Sequence, residues 1–286
     1  PVAEAVVGAQ RDFGSRGDRR RARLKYLIQA RGLDWFKAEV EARWGGAFED
    51  RRLPPWRTSP VLGWIPRPDR TWALGFHTLA GRIQDRPGHP LRTALRDLVR
   101  NFGLEVQLTP DQDLILLGIP REDRPGVEEA LRVQGVDPAS PGRLHDRALA
   151  CVALPFCGLA LTEAERALPE LLKVVGKALD RYGLADRAPV FRVTGCANGC
   201  ARPYTAELAL VGQAPGRFAL YAGGHPEGSR LAFEVAGRLA VEALPATFDR
   251  LFAHWKGEGL PAETFGDFAV RVGRDALAAS LQEGAA

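Results

Sequence analysis

All four cysteines of this 286-residue chain fall in its second half, as two pairs. Five residues separate Cys151 from Cys157, and three separate Cys196 from Cys200. Cys196 follows a strand-like run inside Gly195-Cys-Ala-Asn-Gly-Cys200, and Cys157 is expected to precede a helix immediately. Unbonded backbone N–H groups at helix starts and glycine-rich turns donate to thiolate or cluster sulfur, which lowers the cost of holding negative charge. Three readings follow. Four thiols suit an iron–sulfur cluster. Structural zinc prefers pairs two to four residues apart, so the wider first pair counts against it. Free cysteine is also among the most buried residue types, so four unconnected core thiols fit equally well. The spacing leaves these open. Four cysteines are too few for a disulfide framework in a chain this long, which points to a reducing compartment and to a cytoplasmic location.

Hydrophobic residues make up 45% of the chain and charged residues 26%, which excludes disordered, collagen-like and disulfide-scaffold classes. Lys+Arg minus Asp+Glu is 39 − 35 = +4, an excess carried by arginine, since only five lysines occur. That charge favours an acidic partner but is far below the level of a dedicated nucleic-acid binder. The longest uncharged run, Ala148 to Thr162, is shorter than the ~20 residues of a spanning helix, and Pro155 interrupts it. No apolar stretch follows a basic one at the start, so no secretory signal is expected. The chain lacks methionine even at position 1, which suggests a processed product or part of a longer protein.

Three blocks are expected. Residues 1–60 hold two helical patterns flanking Gly32, then a glycine- and proline-rich linker, Gly45 to Pro60. Leu24, Leu27 and Ile28 mark one face of the earlier helix, with Arg16, Arg20 and Arg23 on another; Trp35, Phe36 and Val40 mark the second helix, after Asp34. Residues 61–138 alternate strand and helix signals: strand Thr71 to His77, helix Pro90 to Phe102, strands Leu104 to Leu108 and Leu114 to Ile119, helix Pro125 to Val133. That β-α-β-β-α order suggests a ferredoxin-like small domain. Residues 139–286 read as an α/β layer: helix Leu159 to Tyr182, strands Val190 to Thr194, Ala206 to Val211 and Arg217 to Ala222, helix Leu244 to Trp255, then an irregular tail. The fold class is thus α+β in the small domain and α/β in the last, behind a helical first block.

The residues around the cysteines decide more than their spacing. Cys151-Val-Ala-Leu-Pro-Phe-Cys157-Gly-Leu-Ala-Leu-Thr-Glu-Ala-Glu-Arg resembles the first cluster motif of the sirohaem-dependent sulfite and nitrite reductases. Val193-Thr-Gly-Cys-Ala-Asn-Gly-Cys200-Ala-Arg-Pro-Tyr-Thr-Ala-Glu-Leu resembles the second, and the likeness runs from about Gln10 to Phe265-Gly-Asp-Phe268. The resemblance implies that Cys151, Cys157, Cys196 and Cys200 ligate a [4Fe–4S] cluster, with Cys200 also bridging to the iron of sirohaem. Ala201-Arg-Pro-Tyr204 looks like the ferredoxin-using assimilatory sulfite reductases, so reduction of sulfite to sulfide is expected, with nitrite to ammonia as the alternative.

Gln10 to Tyr26 packs seven cationic side chains into seventeen positions. Unaided, that pattern suits a solvated helix face or a nucleic-acid patch, and with zinc at the cysteines an RNA-binding protein. By resemblance it is the family's basic stretch facing haem and substrate. Arg23 and Lys25 match positions that grip the anion, where fixed cations favour reduction and protonation. Arg16 and Arg19 are candidates for the carboxylates around sirohaem, which arginine binds bidentately. Leu108-Thr-Pro-Asp-Gln-Asp-Leu-Ile115 resembles the family's motif between two strands, making Thr109 and Gln112 cofactor candidates. Asp111 and Asp113 stand where the family tends to carry asparagine, and a carboxylate there must be paired or protonated. Asn198 can hydrogen-bond sulfur or stabilise its turn. The five histidines show no ligand spacing.

The family's chain is an internal duplication, and only the second ferredoxin-like unit, the cluster domain and the end of the preceding domain are recognisable here. The amino-terminal half, with further anion-gripping arginines, is therefore an expected partner. No glycine-rich dinucleotide fingerprint follows a strand, so electrons are expected from a ferredoxin or a flavoprotein. The positive net charge suits an acidic donor. Neither membrane nor nucleic acid is expected as a partner. The competing reading is a cluster-bearing electron-transfer module without a substrate site.

Overall fold

The computed structural model describes residues 1–51, 54 and 60–282; the rest of the expected linker, Trp56 included, lies outside the described residues. The chain divides into two compact units, residues 1–56 and 57–286. The first holds three helices, α1 (Val2–Phe13), α2 (Leu24–Arg31) and α3 (Leu33–Trp44). Ala5, Ala9, Leu27, Phe36 and Val40 form its small core. The Leu27, Phe36 and Val40 faces agree with the periodicity; α1 was not expected. Its small apolar side, Ala5 and Ala9, gives a weak pattern but allows α1 and α3 to pack closely. The arginine face differs from expectation. Helix α2 starts only at Leu24, so Arg16 precedes it in a loop, Arg20 lies in the short turn Arg19–Arg21, and Arg23 is the extended residue capping the helix.

The second unit contains two sheets. The first is antiparallel, in the order β1 (Gly63–Pro66), β2 (Trp72–Phe76), β6 (Leu114–Ile119), β5 (Glu105–Leu108). A two-residue ladder, β3 (Asp85–Arg86) with β4 (His89–Pro90), precedes helix α4 (Leu91–Phe102). Leu91, Ala94, Leu95 and Leu98 recur at helical spacing and are buried with Leu74, Phe76, Leu114 and Leu116. Helix α5 (Arg124–Gln134) adds Val127 and Leu131 to the same core. Strand β1 was missed because its Gly-Trp-Ile-Pro sequence, between prolines and glycines, reads as a turn.

After the one-turn helix α6 (Arg143–Asp146), a five-stranded mixed sheet runs β11 (Phe233–Ala240), β10 (Arg217–Ala222), β9 (Leu208–Ala214), β8 (Phe191–Thr194), β7 (Leu149–Ala150). Strands β7, β8 and β9 are parallel; β9, β10 and β11 are antiparallel. Helices α7 (Leu168–Arg181) and α8 (Leu244–Glu258) cover it with Leu168, Leu172, Val175, Phe248, Phe252 and Trp255.

Two readings of this region need correction. The helix expected from Leu159 begins at Leu168, because Leu161 and Thr162 give their N–H groups to the Gly195 carbonyl instead of an intrahelical one. Cys157 is therefore followed by turns rather than by the first turn of a helix. The irregular tail is helical, as α9 (Phe265–Val272) and α10 (Arg274–Ser280), with Phe265, Phe268 and Leu277 fully buried. Strand β11 was also unforeseen, since its mixture of small and charged residues pairs only because β10 offers an edge.

The tail is pinned by charge. The Glu263 carboxylate accepts from Arg271 Nε and Nη2 at 2.7 and 2.8 Å and from the Leu260 N–H at 3.0 Å. The Arg271 hydrogen bonds hold its pKa at about 2, below the ordinary 4.5. A depressed carboxylate adds stability that is complete above pH 4.5 and is lost as pH falls toward 2. Thermal melts should therefore show Glu263→Gln less stable than wild type at pH 6, with the gap closing near pH 2. An equal gap at both pH values would remove the ion pair as its source.

Candidate functional site

The parallel strands β7 and β8 end side by side, and each runs directly into a cysteine turn. The Cys151 N–H donates to the Val193 carbonyl at 3.1 Å, continuing the ladder one residue beyond β7. The carboxyl ends of adjacent parallel strands are where open α/β sheets bind their ligands. Here they set Cys151 beside Gly195. The Gly195 N–H donates to Cys151 Sγ at 3.2 Å, and Thr194 Oγ1 lies 3.5 Å from the same sulfur. The Gly195 carbonyl accepts from Leu161 and Thr162 at 2.8 and 3.3 Å, so the segment after Cys157 is stitched to the turn before Cys196. Cys157 N–H bonds Ala153 O at 2.8 Å, and Gly199 N–H bonds Cys196 O at 3.3 Å, which close the two turns themselves. All four thiols are free; Cys200 is exposed and the other three are half-buried.

This junction has no room for side chains. A Cβ on Gly195 would lie 2.8 Å from Ala153 Cβ and from the Thr162 carbonyl oxygen. One on Gly212, in the neighbouring strand β9, would lie 2.4 Å from the Gly195 oxygen. The close approach of the two cysteine turns thus depends on two glycines that the motif reading did not weigh together.

The β5–β6 turn meets both cysteine segments. Thr109 Oγ1 accepts from the Asp111 and Asp113 N–H groups at 3.3 and 3.1 Å and so shapes the turn. Gln112, with φ +68°, spends both ends of its amide on Ala150: Nε2 donates to the carbonyl at 2.8 Å, and Oε1 accepts the N–H at 3.3 Å. It thereby holds the residue before Cys151. On the other side, Arg202 Nη2 donates to Pro110 O and Asp111 Oδ1, both at 2.8 Å, two residues after Cys200. Both carboxylates of the turn are accounted for. Asp111 pairs with Arg202, while buried Asp113 accepts the Thr78 N–H at 2.8 Å and lies 3.2 Å from His77 Nδ1. Asn198 is exposed at the tip of the second cysteine turn. Behind it, Tyr204 Oη donates to Ala197 O at 3.0 Å.

The contacts of three arginines escaped the sequence reading. Arg82 forms a two-point bond with Glu165 at 2.6 and 2.8 Å, tying the loop after β2 to the segment after Cys157, and holds Glu165 below its usual pKa. Arg166 lies over the ring of exposed Phe156, 4.8 Å from its centroid, and donates to Leu154 O at 2.7 Å. Arg192, buried in β8, donates Nη1 to Arg202 O and Thr205 Oγ1 at 2.9 and 2.7 Å. Burial first, and Arg202 second, lower its pKa to about 10. Only long-range packing reveals such pairs; Arg82 and Glu165 are 83 residues apart.

The basic segment belongs to the first unit. Arg16, Arg19, Arg23 and Lys25 are exposed there; Arg16 Nη2 donates to Arg11 O at 3.0 Å, and Lys25 Nζ lies 5.0 Å from the Tyr26 ring centroid. Among the described residues, no three His, Cys, Asp or Glu side chains are close enough to share one metal ion. Four thiols on two joined turns, with an N–H aimed at sulfur, provide instead the donor set that a [4Fe–4S] cluster uses. The glycine-lined junction fits the same group, since it brings the Gly195 N–H onto Cys151 Sγ at 3.2 Å.

These features define a redox-cofactor domain: a ferredoxin-like sheet clamped onto an α/β sheet whose strand ends carry paired cysteines. The family model described as the nitrite and sulphite reductase 4Fe-4S domain matches residues 1–48, and that for the nitrite/sulfite reductase ferredoxin-like half domain matches residues 65–134. The chain is 42% identical over 283 residues to the sulfite reductase [NADPH] hemoprotein beta-component of Afipia carboxidovorans, covering 98% of this chain and 48% of that one. It is 45% identical over 278 residues to the sulfite reductase [ferredoxin] of Synechococcus elongatus, covering 96% and 45% respectively. In structure it is similar to the NirA protein of Mycobacterium tuberculosis, with a TM-score of 0.80 at 24% identity over 96% of this chain and 52% of that one, which shows the fold. The chain belongs to the nitrite and sulfite reductase family. It spans about half the length of the curated relatives it matches. The 1–48 match contains no cysteine, but the relatives' similarity runs through the segment that carries all four.

Proposed function

We propose that the chain forms the cluster-bearing half of a sulfite reductase, which takes sulfite to sulfide by six electrons. The observation that carries this reading is the junction of the two cysteine turns, where the Gly195 N–H meets Cys151 Sγ at 3.2 Å. Cys151, Cys157 and Cys196 would hold a [4Fe–4S] cluster, and exposed Cys200 would supply the thiolate shared with sirohaem. When bound, the coupled group stores and delivers electrons singly, which lets one site complete a multi-electron reduction. The protein's part is to hold four thiolates, keep the Gly195 N–H on Cys151 Sγ and fix the turn orientation through Gln112 and the Arg202–Asp111 pair. Arg23 and Lys25 would neutralise the substrate anion, and Arg16 and Arg19 would meet cofactor carboxylates. Thr109 and Asn198 would shape the turns beside the cofactor.

Sulfite is preferred to nitrite because the two relatives named above are called sulfite reductases. Their names, one ferredoxin and one NADPH, support an electron donor on another polypeptide or segment. The half-length match supports an amino-terminal half as a further partner. A reducing compartment, the cytoplasm, suits four free thiols. No helix among the described residues is long and apolar enough to cross a membrane.

The test is an anaerobic ultraviolet–visible spectrum with iron and acid-labile sulfide analysis, after reconstitution with iron, sulfide and sirohaem. Cluster absorption with haem bands is the expected result. Cluster iron without haem would limit the chain to electron transfer, and a colourless zinc protein would overturn the reading.

A further inference from the structure

The Thr194 hydroxyl is fully buried at the end of β8, out of reach of water. It sits 3.5 Å from Cys151 Sγ and 3.4 Å from the Cys196 carbonyl oxygen. A buried hydroxyl left unbonded is costly, so its single proton goes to one of these two acceptors. An ionised acceptor makes the stronger bond. With Cys151 as a thiolate ligand, the sulfur therefore takes the proton in preference to the neutral carbonyl.

We propose that Thr194 is a positioning residue that sets the reduction potential of the cluster through an O–H···S bond to Cys151; this rests on the cluster reading given above. The Gly195 N–H already occupies one direction at the same sulfur, at 3.2 Å. With the hydroxyl, Cys151 Sγ accepts two hydrogen bonds. Hydrogen bonds to cluster sulfur stabilise the more negative, reduced state and raise the potential. The backbone bond is fixed by the Gly195 turn, whereas the hydroxyl bond depends on one side chain. Thr194 is thus the group through which the chain can adjust the potential without moving a ligand. Side chains alternate along β8, so Thr194 shares the face of buried Arg192, opposite the apolar core residues Phe191 and Val193.

The experiment compares wild type, Thr194→Val and Thr194→Ser after anaerobic reconstitution of the full chain with iron and sulfide, by redox titration of the cluster's visible absorption. Valine keeps the shape and removes the donor; serine keeps the donor. The expected result is a reduction constant lowered about tenfold in Thr194→Val, equal to about 59 mV for one electron, with Thr194→Ser near wild type. Thr194→Ala gives the same comparison should the valine variant load poorly. Unchanged potential in both donor-less variants would overturn the role of the hydroxyl while leaving the cluster in place. A wild-type chain that takes up no iron or sulfide would overturn the cluster reading, and this role with it.

Discussion

Replacing Cys151 by serine should cut the iron and acid-labile sulfide bound after anaerobic reconstitution by roughly tenfold or more, since even the loss of a supporting contact weakens metal sites on that scale. The fold should survive. Cys151 follows a strand already paired with β8 through Leu149–Arg192 and Ala150–Val193, and Gln112 holds Ala150 independently of any sulfur. Circular dichroism should therefore match wild type while the cluster absorption is lost. Serine is close in size to cysteine, so the change isolates ligand chemistry from packing. If the thiols were unconnected core residues, the substitution would leave metal content where it was, and iron retained at the wild-type level would decide for that view.

A methyl group added at Gly195 should destabilise the chain by about 1–3 kcal/mol, the usual cost of overpacking a close-fitted core. The new Cβ would meet Ala153 Cβ and Thr162 O at 2.8 Å and Ala160 Cβ at 3.1 Å, all on the segment that follows Cys151. Relief requires that segment to move away from β8, which would break the Gly195 bonds to Leu161, Thr162 and Cys151 together. Gly212→Ala presses on the same point from β9, against Gly195 O at 2.4 Å. Because the two sites share one contact, urea denaturation should show the double variant losing less than the sum of the single losses. Full additivity would mean that the two glycines serve separate contacts. Cluster loading should fall in both single variants, since each separates the two cysteine turns.

Local pattern made much of the scaffold legible. The spacing of Leu91, Leu95 and Leu98 gave α4 to within a residue of its observed ends, and Leu114–Ile119 and Arg217–Ala222 were read at their observed bounds. Each buries one regular face, so its own residues encode it. The failures came where a partner decides the conformation. The stretch from Leu159 to Ala167 has helical composition, but Leu161 and Thr162 find the Gly195 carbonyl, 34 and 33 residues away. Strand β11 exists because β10 presents an unpaired edge. The basic run before α2 looked periodic, yet arginine favours helix too weakly to extend one without a buried face.

The sequence alone identified the four thiols and their two turns, because glycine and cysteine at short spacing form a local signal. It also identified, through the resemblance of its motif, the turn with Thr109 and Gln112, where Thr109 acts on N–H groups two and four residues on. Tertiary structure decided how these parts meet: Gln112 on Ala150, Arg202 on Asp111, Arg82 on Glu165, and Gly195 against Gly212. It also placed the Thr194 hydroxyl on the sulfur of Cys151. Such contacts join residues tens of positions apart and depend on distances of a few ångströms. Short-range periodicity records which face a residue turns inward, but not which residue it meets there.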